Sequence, residues 1–130
     1  MKDARGSERV DFIRPVRYVE RTQRKDPLLS ALGVNLSLEG VSIQSAVLPL
    51  ERHERLEMYL PIEDHRLIAV EAEQVWFDLE TEGNHPHWIR AGYRIRFHNV
   101  RDEESYVRSY FDLGGRVTKI RTKNRVEYVF

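Results

Sequence analysis

The 130-residue chain has no cysteine. Disulfides, thiolate nucleophiles and thiolate metal sites are therefore excluded, and a reducing compartment is compatible with it. No apolar run approaches the ~18 residues needed to span a bilayer. The start, Met1-Lys2-Asp3-Ala4-Arg5, lacks the apolar stretch of a secretory signal. A cytoplasmic protein without a membrane span is expected. Recognisable catalytic and metal-binding groupings are also scarce. Five histidines are scattered, and only His85-Pro86-His87 has ligand-like spacing, with no evident third ligand. Ser37 and Ser42 have no histidine or lysine placed by sequence to activate them. The lysine-bearing glycine loop of nucleotide hydrolases is missing. Glu71/Glu73 and Glu103/Glu104 read as a solvated strand face and a helix start. A protein that is not an enzyme, with no metal and no cofactor, is expected.

What is present is ordinary globular chemistry with an unusual layout of charge. Hydrophobic residues make up 41% and charged residues 32%, as in an ordinary soluble protein of one domain rather than a disordered chain. Net charge is zero, but it is segregated. Residues 1–25 carry eight basic and four acidic side chains, a balance of +4. Residues 26–113 carry eight and sixteen, or −8, and residues 114–130 carry five and one, or +4. Basic ends on an acidic body point to an anionic partner held by the ends, and a nucleic-acid binder is disfavoured.

The hydrophobic period is mostly that of strands. Val10, Phe12, Val16 and Tyr18 alternate, with Pro15 marking an edge or bulge. Strands are expected over 28–34 and 41–46, then at Leu56, Met58 and Leu60. A long strand follows over 67–79, whose faces switch near Val75-Trp76-Phe77 as at a bulge. Ile89, Ala91, Tyr93, Ile95 and Phe97 give the cleanest alternation, against the largely cationic Arg90, Gly92, Arg94, Arg96 and His98. Polar connections are expected over 21–27, 48–54 and 81–87. Asp102-Glu103-Glu104 reads as a helix start with Asp102 as N-cap; Val107, Tyr110 and Phe111 form its apolar face, and Gly114-Gly115 end it. The pattern predicts a mainly β antiparallel barrel or sandwich with one terminal helix. Beyond it lies a basic extension, 114–130, in which Thr122-Lys123-Asn124 could turn a hairpin.

Two short motifs sharpen this. Asn35, Ser37 and Gly40 fall between two apolar runs, where Asn and Ser favour a turn and Gly40 supplies a positive φ. Such a turn directs successive N–H groups into one hollow suited to an anion. Upstream, Arg5 and Arg9 form an RxxxR pair just before the first strand. RxxxR, a strand, then (D/N)xSxxG resembles the PilZ domain, a bacterial receptor module for cyclic di-GMP. The resemblance implies a six-stranded antiparallel β-barrel followed by a C-terminal α-helix. On that basis residues 1–113 form the PilZ-like domain, with an N-terminal arm over 1–9 and the helix over 102–113. It also implies a ligand site built from Arg5, Arg9, Asn35, Ser37 and Gly40, and an effector protein that receives the signal. Where the family pattern often continues with a second glycine, this chain has Val41. An adaptor that binds no nucleotide is the alternative within the same fold. A barrel stacking single-stranded nucleic acid on Trp76, Phe77, Tyr93 and Trp88 is a third reading.

Overall fold

The computed structural model describes residues 8–20, 29–45, 55–63, 66–80, 88–117, 120–121 and 126–127. Arg5, His53, His65, His85, His87, the loops expected over 21–27, 48–54 and 81–87, and the turn at 122–124 lie outside them.

The strands are β1 (Val10–Asp11), β2 (Pro15–Glu20), β3 (Leu29–Leu36), β4 (Gly40–Ser45), β5 (Arg55–Glu63), β6 (Arg66–Glu80) and β7 (Trp88–Phe97). Helix α1 (Val100–Asp112) follows, then the short strands β8 (Ile120–Arg121) and β9 (Val126–Glu127). The sheet runs β1-β3-β2-β5-β6-β7-β4, and pairing of β3 with β4 closes β2 to β7 into a six-stranded antiparallel barrel. Closure leaves these six strands no free edge. The strand expected from Val10 to Tyr18 is split in two. Phe12 N donates to Val34 O at 3.0 Å and Gly33 N to Arg14 O at 2.8 Å, and the chain kinks between these bonds. Pro15 thereby becomes the first residue of β2, a position that tolerates its missing N–H.

Alternation places Leu56, Met58, Leu60, Ile68, Val70, Ala72, Ala91 and Tyr93 inside, all buried. The bulge expected near Val75 is present, with the register shifting between Gln74 and Trp76 opposite β7. The helix begins earlier than expected. Asn99, not Asp102, is its N-cap: its side chain accepts from Asp102 N at 2.8 Å, and Glu103 N donates to Asn99 O at 3.2 Å. Asp102 is instead the third helical residue, where its charge still complements the helix N-terminus. From there Asp102 receives Arg66 Nη2 at 2.8 Å, anchoring the first turn to β6. The buried face also differs from the expected one. Tyr106, Val107 and Tyr110 are buried, whereas Phe111 is exposed. The Tyr106 ring packs on Phe97 at 5.1 Å, and Ser109 Oγ donates to Ile62 O at 3.0 Å.

Past the helix, Gly114 takes a positive φ of 104° and Val117 is buried. β8 and β9 then pair antiparallel as a separate two-stranded sheet, in line with the expected hairpin. Among the described residues no helix is long and apolar enough to cross a membrane.

Tyr106 Oη donates to two carbonyls of the β3–β4 connection, Ser37 O at 2.6 Å and Gly40 O at 3.1 Å. Burial first, then the negative charge of Glu39, pushes its ionisation well above the ordinary phenol value of 10.0. In the unfolded chain the phenol ionises near its ordinary value, so above that pH the unfolded state sheds a proton the folded state retains. Stability from this group is complete below about pH 10 and falls as pH rises beyond it. Denaturant midpoints measured from about pH 8 to about pH 10.5 should fall more steeply for the wild-type chain than for Tyr106→Phe. Separately, Asn99→Ala should cost about 1 kcal/mol and lower the melting temperature by a few degrees.

Candidate functional site

β3 and β4 meet at a tight corner, Ser37-Leu38-Glu39, closed by Ser37 N donating to Gly40 O at 2.8 Å. Ser37 Oγ accepts from the backbone N–H groups of Glu39 and Gly40, both at 3.3 Å. Those are two of the N–H groups expected to face an anion, and the hydroxyl of the same turn takes them. Gly40 is also present for a reason other than the expected one, because its φ is not positive. A Cβ there would lie 2.2 Å from Tyr93 O, a backbone atom of the neighbouring strand. Close approach of β7 therefore demands the glycine.

Asn35 stands opposite Ser42 in the β3–β4 register. Its Oδ1 accepts from Ser42 Oγ at 2.8 Å and from Arg9 Nη1 at 2.8 Å. Arg9 reaches it because β1 pairs Val10 with Leu36, which lays the residue before Val10 alongside the corner. Of the five expected site residues, Arg9, Asn35, Ser37 and Gly40 are thus brought together, and Arg5 lies outside the described residues. Val41 points into the barrel and is buried, so it leaves the outer surface of the corner unobstructed.

The register extends this outer face sideways. Asn35 is opposite Ser42, Ser42 opposite Gly92, and Gly92 opposite Trp76. The indole lies on Gly92 so closely that a Cβ there would sit 2.1 Å from Trp76 Nε1. Beside this face a cavity of about 570 Å³ opens between the corner, the β6 bulge and the helix, lined among others by Ser37, Gly40, Trp76, Arg94, Phe97 and Glu103. That volume lies within the ordinary range of small-molecule sites. Arg94, opposite Gly40 in the register, brings an exposed guanidinium to the rim. The other strand arginines sit elsewhere. Arg14 Nη1 donates to Pro61 O at 2.9 Å and its guanidinium lies over the Phe12 ring, while Arg96 faces Glu71 at 3.7 Å.

Sequence reasoning did not place Trp76, Tyr106 or Tyr110 at this site. The face switch near residue 75 was the available signal for Trp76, since a bulge next to an aromatic and opposite a glycine marks a re-aimed side chain. Tyr110 Oη donates to Glu8 O at 2.7 Å, tying the residue before Arg9 to the helix. No local pattern announces that contact, because 102 residues separate the partners. Among the described residues no cluster of three or more His, Cys, Asp or Glu could hold a metal ion.

Known structures share this architecture. MrkH of K. pneumoniae, in a complex with c-di-GMP, superposes with a TM-score of 0.69 at 10% identity over 86% of this chain and 53% of that one. The PilZ domain of YcgR from Escherichia coli, with c-di-GMP, gives 0.63 at 16% identity over 85% and 92%. The Bacillus subtilis inhibitor of motility MotI gives 0.64 at 17% over 85% and 51%. The chain thus spans about half the length of MrkH and of MotI. No curated protein matches it in sequence. The PilZ domain model, however, matches residues 3–113, which include the whole barrel and its helix, and the chain belongs to the PilZ domain family.

Proposed function

We propose that this chain is a non-enzymatic cyclic di-GMP receptor of the bacterial cytoplasm, which changes conformation on binding and passes the signal to a partner protein. The observation that carries this is the 2.8 Å bond from Arg9 to Asn35, which joins two motifs 26 residues apart at one corner. Arginine suits a cyclic guanine dinucleotide twice over. Its planar fork pairs with two phosphate oxygens, and equally with guanine O6 and N7. Arg5, four residues earlier in the same arm, would supply a second fork. Asn35 and Ser37 offer groups for base edges or phosphate, and Trp76 offers a flat apolar surface on which a guanine can stack. The MrkH and YcgR structures of the same fold hold c-di-GMP.

Residues 1–113 act as the binding unit, with the basic extension 114–130 outside it. Contacts made only when the arm lies on the barrel favour that ordered arrangement, so the ligand shifts the arm's equilibrium by its differential affinity. A nucleic-acid partner is not proposed, because the body of the chain is acidic and the aromatic groups do not form one platform. Tyr93 is buried inside the barrel, while Trp76 lies on its outer face.

Calorimetric titration with cyclic di-GMP tests the proposal. The wild-type chain should bind, and Arg9→Ala should bind about 10- to 100-fold more weakly, as loss of a charge-assisted hydrogen bond of ~1.5–3 kcal/mol requires. Absence of heat from the wild-type chain at high ligand concentration would remove the receptor assignment. Tryptophan emission gives a second readout. It should change on titration in the wild-type chain and in Trp88→Phe, and stay flat in Trp76→Phe.

A further inference from the structure

The binding corner and the arm are separate pieces of chain, yet one helix touches both. Tyr106 Oη holds the corner through Ser37 O and Gly40 O. Tyr110, one turn along α1 and therefore on the same face, holds the arm through Glu8 O. Both tyrosines are fully buried. We propose that Tyr106 and Tyr110 are positioning residues, a two-point latch by which α1 sets the distance between Arg9 and the Asn35–Ser37 corner. The inference rests on the receptor reading for its consequence in affinity, but the latch itself is a property of the folded chain.

The chemistry favours a positional role over a direct one. Each phenol commits its single proton to backbone carbonyl oxygen, that of Tyr106 shared between Ser37 O and Gly40 O, so neither offers that donor to a ligand. Each carbonyl, in turn, belongs to a residue of one motif or to its immediate neighbour. Glu8 precedes Arg9, while Ser37 and Gly40 lie in the NxSxxG corner itself. A shift of α1 along the barrel would therefore change how the arm sits against the corner, and a ligand spanning them would report on the helix. This gives the barrel a route from its bound nucleotide to the far surface of α1, where Arg101, Glu104, Arg108 and Phe111 are exposed.

Hydrogen exchange and calorimetry on the full chain distinguish this from simple packing, using Tyr110→Phe and Tyr106→Phe, which keep the rings. Tyr110→Phe should speed amide exchange over residues 8–12 and leave Glu39 and Gly40 unchanged. Tyr106→Phe should do the reverse. Tyr110→Phe should also weaken cyclic di-GMP binding about three- to tenfold, the equivalent of one lost neutral hydrogen bond, and should add nothing in an Arg9→Ala background. Unchanged exchange over residues 8–12 in Tyr110→Phe would overturn the latch, as would a loss of affinity that persists undiminished without Arg9. If the wild-type chain gives no binding heat, the receptor reading falls, and the exchange comparison still decides the latch.

Discussion

The amide oxygen of Asn35 is where sheet and arm become one structure. It has two lone pairs and fills both, one with the Ser42 hydroxyl of the adjacent strand and one with the Arg9 guanidinium. The first bond belongs to the barrel and forms wherever β3 and β4 are in register. The second draws a cation from outside the barrel onto its surface. Being charge-assisted and partly buried, it outweighs the exposed contacts of the same region. Arg116 and Glu8, for instance, approach only to 3.8 Å with both side chains largely in water, where screening leaves little. Within the basic start of the chain, Arg9 is therefore held at a defined place, which charge balance alone would not have specified.

How far the sequence could be read depended on whether a feature was local. Alternation at Leu56, Met58 and Leu60 and from Ile89 to Ile95 predicts strands because one face must be buried, and those residues are buried. Asn35, Ser37, Gly40 and Arg9 were legible through their spacing and the family resemblance, while the bond joining Arg9 to Asn35 needed the fold. Gly40 was assigned for the wrong reason, since a positive φ is a local inference and the approach of Tyr93 O is not. The helix cap was placed at Asp102 because that residue fits the local rule for a cap. Asn99 fits the same rule and takes the role, while the docking of α1 on the barrel, which no local rule gives, buries Tyr106 and leaves Phe111 exposed. Tyr110 and Glu8 were illegible together, since only the closed barrel makes them neighbours.

The bulge in β6 shows how a single extra residue turns a core strand into a site wall. In an unbroken strand, residues 74 and 76 would point to the same side. Here Gln74 lies inside, its Nε2 donating to Tyr93 Oη at 3.0 Å, while Trp76 sits on the outer face over Gly92. Were the register unshifted, the indole would compete for the space that Gln74 and Tyr93 occupy. Val75 absorbs the mismatch, and strand pairing resumes beyond it. The same Tyr93 lends its carbonyl to the narrow gap that excludes a side chain at Gly40. Core and site are thus two faces of one β6–β7 arrangement. The glycine of the corner is required by the backbone of β7 and the glycine beneath the indole by the Trp76 side chain of β6, and neither can gain a Cβ without displacing that neighbour.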